Sequence, residues 1–312
     1  MEQTTNTILM IRPINFRMNE QTAVNNYYQK ILKNILPETV NAKAQQEFDV
    51  FVEKLTDIGV NVIVVSDTNE NDTPDSIFPN NWISFHENGT VGLYPMFAKN
   101  RRLERREDVL QQLEAQGYKI NNIMDYTSAE DENIFLEGTG CLVLDRINRN
   151  AYCALSPRSD EGLLIEFCED FEYIPIIFSA NQTVNRERLA IYHTNVMMYL
   201  GETFAVICLN SIDNKTEQKN VVEHLKATNK EIINITESQA NTFAGNVLQV
   251  KGKDEAPYIV MSQAAYNSLS KNQIIILEKH GKILYSSLDT IEACGGGSAR
   301  CMIAEVFLPK TN

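Results

Sequence analysis

The sequence predicts an α/β fold with mixed sheets, and three observations point there. Amphipathic helices end at a glycine and run straight into β-branched strands, as Gly59 does before Val60–Val65 (VNVIVV). Strands also come as hairpins ahead of a helix, which brings antiparallel pairs into sheets that crossover helices would otherwise make parallel. A unit of strand pair plus helix returns about every 60 residues, the mark of a cyclic repeat. No low-complexity linker separates two halves, so residues 1–312 read as one domain.

In chain order, Thr7–Arg12 (TILMIR) is a short apolar strand stopped by Pro13. Asn19 is placed to cap a helix whose apolar residues Val24, Tyr28, Ile31 and Ile35 fall at helical spacing, with Pro37 ending it. Ala44, Phe48, Phe51, Leu55 and Ile58 mark the next helix, which Gly59 terminates. Trp82–Phe85 and Thr90–Tyr94 flank Glu87-Asn88-Gly89, a hairpin turn. Leu103, Leu110 and Leu113 share a helix face ahead of Gly117, and a strand follows near Lys119–Met124. Cys141–Asp145 and Ala151–Leu155 bracket a polar turn before a helix through Leu163, Leu164 and Phe167. Further strands fall at Tyr173–Ser179, Thr203–Leu209, Val247–Val250, Tyr258–Met261 and Lys282–Ser286. Helices run through Val221, Val222 and Leu225 and through Ile274–Leu277.

Composition narrows the class. The chain is 43% hydrophobic and 22% charged, enough apolar material for a sizeable core. With 28 Lys+Arg against 41 Asp+Glu it carries a net charge of −13, which disfavours nucleic acid and anionic membrane as partners. Aliphatic runs such as Ile274–Leu277 are far too short to span a bilayer, and Met1–Thr7 lacks the basic and apolar blocks of a signal peptide. Six cysteines without a CxxC pair read as thiols, not as a disulfide framework or zinc site. The expectation is a cytoplasmic protein acting on a small molecule, with room for a homo-oligomer.

Few residues can carry chemistry. Cys294-Gly-Gly-Gly-Ser-Ala-Arg-Cys301 is the most unusual stretch, and it matches neither a phosphate loop nor a dinucleotide fingerprint. A thiol beside Arg300 in a backbone-rich turn ionises readily and becomes a nucleophile, although a lone cysteine is as easily a small buried hydrophobe. Of four histidines, His86, His224 and His280 sit at a hairpin end, on a polar helix face and at a helix C-terminus. Those places suit surface or capping roles. His193, in Ile191-Tyr-His-Thr-Asn-Val-Met-Met198, lies between apolar segments, where acid/base work or a satisfied core histidine both fit. Glu137 in Phe135-Leu-Glu-Gly-Thr-Gly140 could orient a histidine or bind a cation, and Asp75 in Asp75-Ser-Ile-Phe-Pro-Asn-Asn-Trp82 could bind substrate or cap a turn. The run Lys99–Arg106, basic residues interleaved with glutamate, reads as a solvated helix face.

Together these motifs resemble the guanidino-group-modifying enzyme superfamily, whose fold is the five-bladed α/β-propeller (pentein). Within it the chain is similar to the citrulline-utilisation hydrolases, the arginine-deiminase-related branch. The resemblance implies Cys301 as nucleophile, His193 as general acid/base and Glu137 as its partner. It implies substrate binding at Asp75, Asn80, Asn81 and Asn195, and at Arg158 in Ser156-Pro-Arg158 for a substrate carboxylate. No metal or organic cofactor is implied. Arginine deiminases carry HxD where this chain has His193-Thr-Asn195, and an acidic pair where it has Asn80-Asn81. Carboxylates suit a cationic guanidinium, whereas an asparagine amide can donate to the carbonyl of a neutral ureido group. The expected reaction is therefore hydrolysis of citrulline to ornithine, carbon dioxide and ammonia. A backbone oxyanion hole is expected at Gly295–Gly297. Rival readings are an arginine or methylarginine deiminase, an amidinotransferase, a noncatalytic macromolecule-binding pentein, and a thiol redox protein using Cys294.

Overall fold

The computed structural model describes residues 2–32 and 35–311. Strand β1 (Thr7–Arg12) pairs parallel with β2 (Asn61–Ser66), and helix α1 (Pro37–Asp57) joins them. Hairpin β3 (Ile83–Phe85) and β4 (Thr90–Leu93) is followed by α2 (Glu107–Ala115) and by β5 (Asn122–Asp125), parallel to β4. The one-turn helix α3 (Gly138–Cys141) leads into β6 (Val143–Asp145), β7 (Asn150–Leu155), α4 (Glu161–Asp170) and β8 (Ile174–Ser179), with the same pairing. A small hairpin, β9 (Asn181–Val184) and β10 (Glu187–Ala190), is set aside from the repeat.

The order then returns twice. A one-turn helix α5 (Thr194–Met197) precedes β11 (Met198–Leu200), β12 (Phe204–Ile207), α6 (Lys215–Ala227) and β13 (Glu231–Asn234). Helix α7 (Glu237–Ala240) precedes β14 (Leu248–Lys251), β15 (Pro257–Ser262), α8 (Gln263–Ser268), α9 (Lys271–Glu278) and β16 (Lys282–Ser286). Finally α10 (Asp289–Gly295) leads to β17 (Ala304–Glu305), which pairs antiparallel with β1. The described residues thus hold five three-stranded sheets of one design, the blades of an α/β-propeller. One blade, β17-β1-β2, takes strands from both ends of the chain and closes the ring.

Burial follows the ring. The leading strands β3, β6 and β11 are buried at every residue, whereas the trailing strands β2, β5, β8, β13 and β16 alternate or are exposed. The leading strands face the axis and the trailing strands form the perimeter, where period-2 alternation is what a half-buried edge requires. Helix α1 seals its blade with Val40, Ala44, Phe48, Phe51 and Leu55, spaced to one stripe. Phe51 is fully buried, and truncating it to alanine would cost about 3–5 kcal/mol.

The expected helix over Asn19–Ile35 does not form among the described residues, and residues 33–34 lie outside them. Residues 20–25 make successive turns, and Val24 and Ile31 are exposed. Pro37 starts α1 instead of ending a helix, as its missing N–H allows at a first turn. Leu103 falls outside α2 and is exposed. No helix among the described residues is long and apolar enough to cross a membrane.

Candidate active site

Each leading strand is entered through a turn, and the sequence motifs sit in those turns. Asn80 and Asn81 lie in the 3-10 turn Pro79–Asn81 before β3. Glu137 immediately precedes α3 before β6, and His193 immediately precedes α5, which holds Asn195, before β11. Cys301 stands just ahead of β17. The remaining turn, before β14, presents Asn246, which the sequence reading did not single out. Because leading strands converge on the axis, residues far apart in sequence meet there.

Glu137, His193 and Cys301 are 0%, 2% and 3% exposed. His193 Nε2 lies 2.7 Å from Glu137 Oε2, and Glu137 Oε1 accepts from Phe97 N at 2.9 Å. Gly140 makes this assembly fit. A Cβ there would stand 2.4 Å from Asn81 Nδ2 and 2.8 Å from His193 Nδ1. Burial would raise the Glu137 pKa, but the Arg158 charge, the His193 hydrogen bond and Arg101 outweigh it and hold the carboxyl well below its ordinary range. Burial brings His193 down to about 4 despite the Glu137 bond, with Arg158 and Arg101 adding to the fall. The pair is a carboxylate and a neutral imidazole at pH 7, so Nε2–H donates to Glu137 and Nδ1 keeps its lone pair.

Asp75 is 2% exposed and sits 4.0 Å from the Arg101 guanidinium. Burial raises its pKa against that charge. Arg158 donates toward Glu137 Oε2 at 3.4 Å, and its guanidinium stacks over Tyr192 at 4.8 Å. Asn81 lines the cavity. Its Oδ1 accepts from Arg101 at 2.8 Å, which fixes the amide orientation and leaves Nδ2 without a partner among the described residues. Asn80 is buried behind it and does not line the cavity. Asn195 contacts the Cys301 sulfur, with Nδ2 at 3.5 Å. No hydrogen bond joins His193 to Cys301 among the described residues, yet both line one cavity with Asp75, Asn81, Arg101 and Arg158.

Two sequence expectations are corrected here. Lys99–Arg106 is not a solvated helix face: Arg101 and Glu104 are 2% and 3% exposed, and two 2.9 Å bonds join them. Arg101 also donates to Phe78 O at 3.1 Å and to Asn81 Oδ1 at 2.8 Å, so each of its three nitrogens donates, which makes burial tolerable. At the Gly295–Gly297 turn, the carbonyls of Gly295 and Gly296 accept from Asn26, Gly296 N is spent on Glu292 O, and Gly297 lines the cavity. A helix C-terminus leaves carbonyls orphaned, and α10 ends there, so Asn26 satisfies them. His86 is 6% exposed and stacked on Phe171 instead of lying at the surface.

The failed helix over residues 19–32 finds its reason at this site. Asn19 Nδ2 and Thr22 Oγ1 donate to Asp75 Oδ2 at 2.8 and 3.0 Å, and Arg158 donates to Asn25 Oδ1 and to Thr22 O at 2.9 and 3.0 Å. Polar side chains that bind elsewhere compete with a helical ladder, and here they win. Asn26 of this segment lines the cavity, which holds about 10 Å3 of free volume, room for about one water.

Such a ring, with a cysteine, a histidine–glutamate pair and buried carboxylates and guanidiniums around its axis, defines a pentein of the guanidino-group-modifying superfamily. Residues 12–308 match the family described as N,N dimethylarginine dimethylhydrolase, eukaryotic, and the chain belongs to that family. No curated protein sequence matches significantly. Among solved structures, the chain is similar to ArgZ, an arginine dihydrolase from the ornithine–ammonia cycle in cyanobacteria, at 16% identity and a TM-score of 0.74, covering 98% of this chain and 41% of that one. It is similar to AgrE, solved with ornithine and NAD+, at 18% identity and a TM-score of 0.71, covering 98% and 40%. A dimethylarginine dimethylaminohydrolase bearing an S-methyl-L-thiocitrulline adduct aligns at 12% identity and a TM-score of 0.62, covering 97% and 99%. At these identities the likeness is one of fold. The chain spans about two fifths of the ArgZ and AgrE chains.

Proposed function

We propose that the chain hydrolyses the carbon–nitrogen bond at the ureido carbon of citrulline, giving ornithine, carbon dioxide and ammonia. The observation that carries the choice of substrate is Asn81, a neutral amide in the cavity whose free N–H can serve a carbonyl oxygen. In this reading Cys301 attacks the ureido carbon, and its thiol proton passes through neutral His193 to the departing nitrogen, which leaves as ammonia. Water then adds to the thiocarbamate carbon and returns a proton to sulfur. The carbamic acid released breaks down to ornithine and carbon dioxide. Glu137 steadies the imidazolium formed in transit, and dividing the displacement in two lowers each barrier. Arg158 receives the substrate carboxylate in place of Asn25, and Asp75 the amino group. The reading treats residues 1–312 as one domain, which the pairing of β17 with β1 supports.

A second reading takes arginine first and citrulline next, by the same steps. The buried Asp75 Oδ1, without a partner among the described residues, favours it, as does the likeness to an arginine dihydrolase. The test is to incubate the protein with citrulline, arginine, agmatine and methylated arginines, following ammonia, ornithine and citrulline. Ornithine from citrulline is expected. Citrulline accumulating from arginine or a methylarginine, with no turnover of citrulline itself, would overturn the first reading.

A further inference from the structure

We infer that Asn246 is a catalytic residue whose carboxamide holds the Cys301 sulfur and stabilises it as a thiolate. The inference rests on the reading of Cys301 as nucleophile. Four of the five axial turns carry residues that the sequence motifs assign, and Asn246 is what the fifth turn brings to the axis. It is fully buried, and its Nδ2 lies 3.2 Å from Cys301 Sγ.

The orientation of this amide is fixed by its neighbours. Oδ1 accepts from Arg300 N at 3.1 Å and from Cys301 N at 3.4 Å, while Nδ2 donates to Asn195 O at 2.9 Å. Flipping the amide would set nitrogen against two N–H groups and oxygen against a carbonyl, so the second Nδ2 hydrogen points to sulfur. Every donor and acceptor of the side chain is then used, one of them on the reacting atom. Gly245 permits the approach, since a Cβ there would lie 2.5 Å from Val196 O.

The obvious alternative source of thiolate stabilisation is turned away. Arg300, next to the nucleophile in sequence, donates to Ile303 O at 2.9 Å and to Glu305 at 3.2 Å. Asn195 meets the sulfur with both amide atoms, Nδ2 at 3.5 Å and Oδ1 at 3.7 Å, whereas Asn246 is held by its neighbours to the role of donor. A hydrogen bond to an ionised acceptor is stronger than one to its neutral form, so this cradle favours the thiolate and fixes its direction of attack.

The test follows alkylation of Cys301 by iodoacetamide, read by peptide mass mapping, from about pH 5 to about pH 10. Asn246→Ala is expected to move the midpoint of the rate profile up by about one pH unit, roughly a tenfold slower reaction at neutral pH. It should also lower kcat about 10- to 100-fold with KM little changed. Asn246→Asp keeps the shape and should move the midpoint further, and it serves should the alanine variant fail to fold. An unmoved midpoint in a folded variant overturns the inference. Alkylation needs no substrate, so a moved midpoint without turnover of any ureido or guanidino compound would leave this inference standing and remove the proposed function. Normal citrulline turnover in wild type with an unmoved variant midpoint would do the reverse.

Discussion

The two ends of the axial cavity are built from opposite chemistry. At one end, Asp75, Glu104 and Glu137 pack against Arg101 and Arg158, all buried. At the other, the Cys301 sulfur is hydrogen-bonded, among the described residues, by the uncharged amides of Asn246 and Asn195. At the charged end each group balances another, and removing one leaves a partner buried and unpaired. At the sulfur end a deletion removes a hydrogen bond and strands no charge. Damage at the first end should therefore reach stability as well as rate, whereas damage at the second should act on rate.

The largest expected effect comes from the sulfur itself. Cys301→Ser and Cys301→Ala should reduce ammonia release by about 10⁴-fold or more while leaving the thermal midpoint nearly unmoved. Full activity in Cys301→Ala would break the comparison at its root. Next comes Glu137→Gln, which leaves Arg158 short of a charge partner and His193 without its anchor. Turnover should fall about 10³-fold, and denaturant titration should register a loss of about 3–5 kcal/mol. A variant that lost rate but not stability would mean that the charged end is less tightly balanced than its distances suggest. Arg158→Lys keeps the charge but loses the fork, so KM should rise about tenfold with kcat nearly kept.

Protons sharpen the contrast with a smaller effect. His193 titrates near 4 in the fold against an ordinary 6.5, so between those values the unfolded chain binds more protons and acid favours unfolding. Glu292 behaves oppositely. Burial lifts it from 4.5 to about 7 against hydrogen bonds from Ser262 and Ser298, and no salt bridge reaches it among the described residues. Across that window the folded chain binds the extra proton, so its contribution is lost as pH rises through about 7. Melts between about pH 4 and pH 7 should show stability rising less steeply with pH in His193→Gln and more steeply in Glu292→Gln, because the two contributions oppose each other over overlapping windows. An unchanged slope in the second variant would show that Glu292 is ionised in the fold.

Much of this was legible in the residues. The TILMIR strand, the hairpin at Glu87-Asn88-Gly89 and the α1 stripe announce themselves by local pattern, which period and turn chemistry alone decide. Glu137, His193 and Cys301 stood out because each leaves a short apolar or glycine-rich run. Arg101 did not, since an alternating charged run looks alike on a surface and in a satisfied interior, and only the i,i+3 pairing with Glu104 hinted otherwise. Asn246 was hidden in a plain Gly-Asn before a strand, although that glycine was the clue to a close approach. Residues 19–32 misled because apolar spacing counted for a helix, while the asparagines and Thr22 had partners that lie far off in sequence.

The pairing of β17 with β1 has a consequence in time. Ala304–Glu305 is the strand that shuts the ring, and the thiol of Cys301 lies shortly ahead of it. A chain still emerging, or one whose ends have come apart, holds its histidine, glutamate and arginines in turns of their own blades while the sulfur is elsewhere. On the proposed reading of Cys301 as nucleophile, completing the circle is the event that brings the sulfur to its partners.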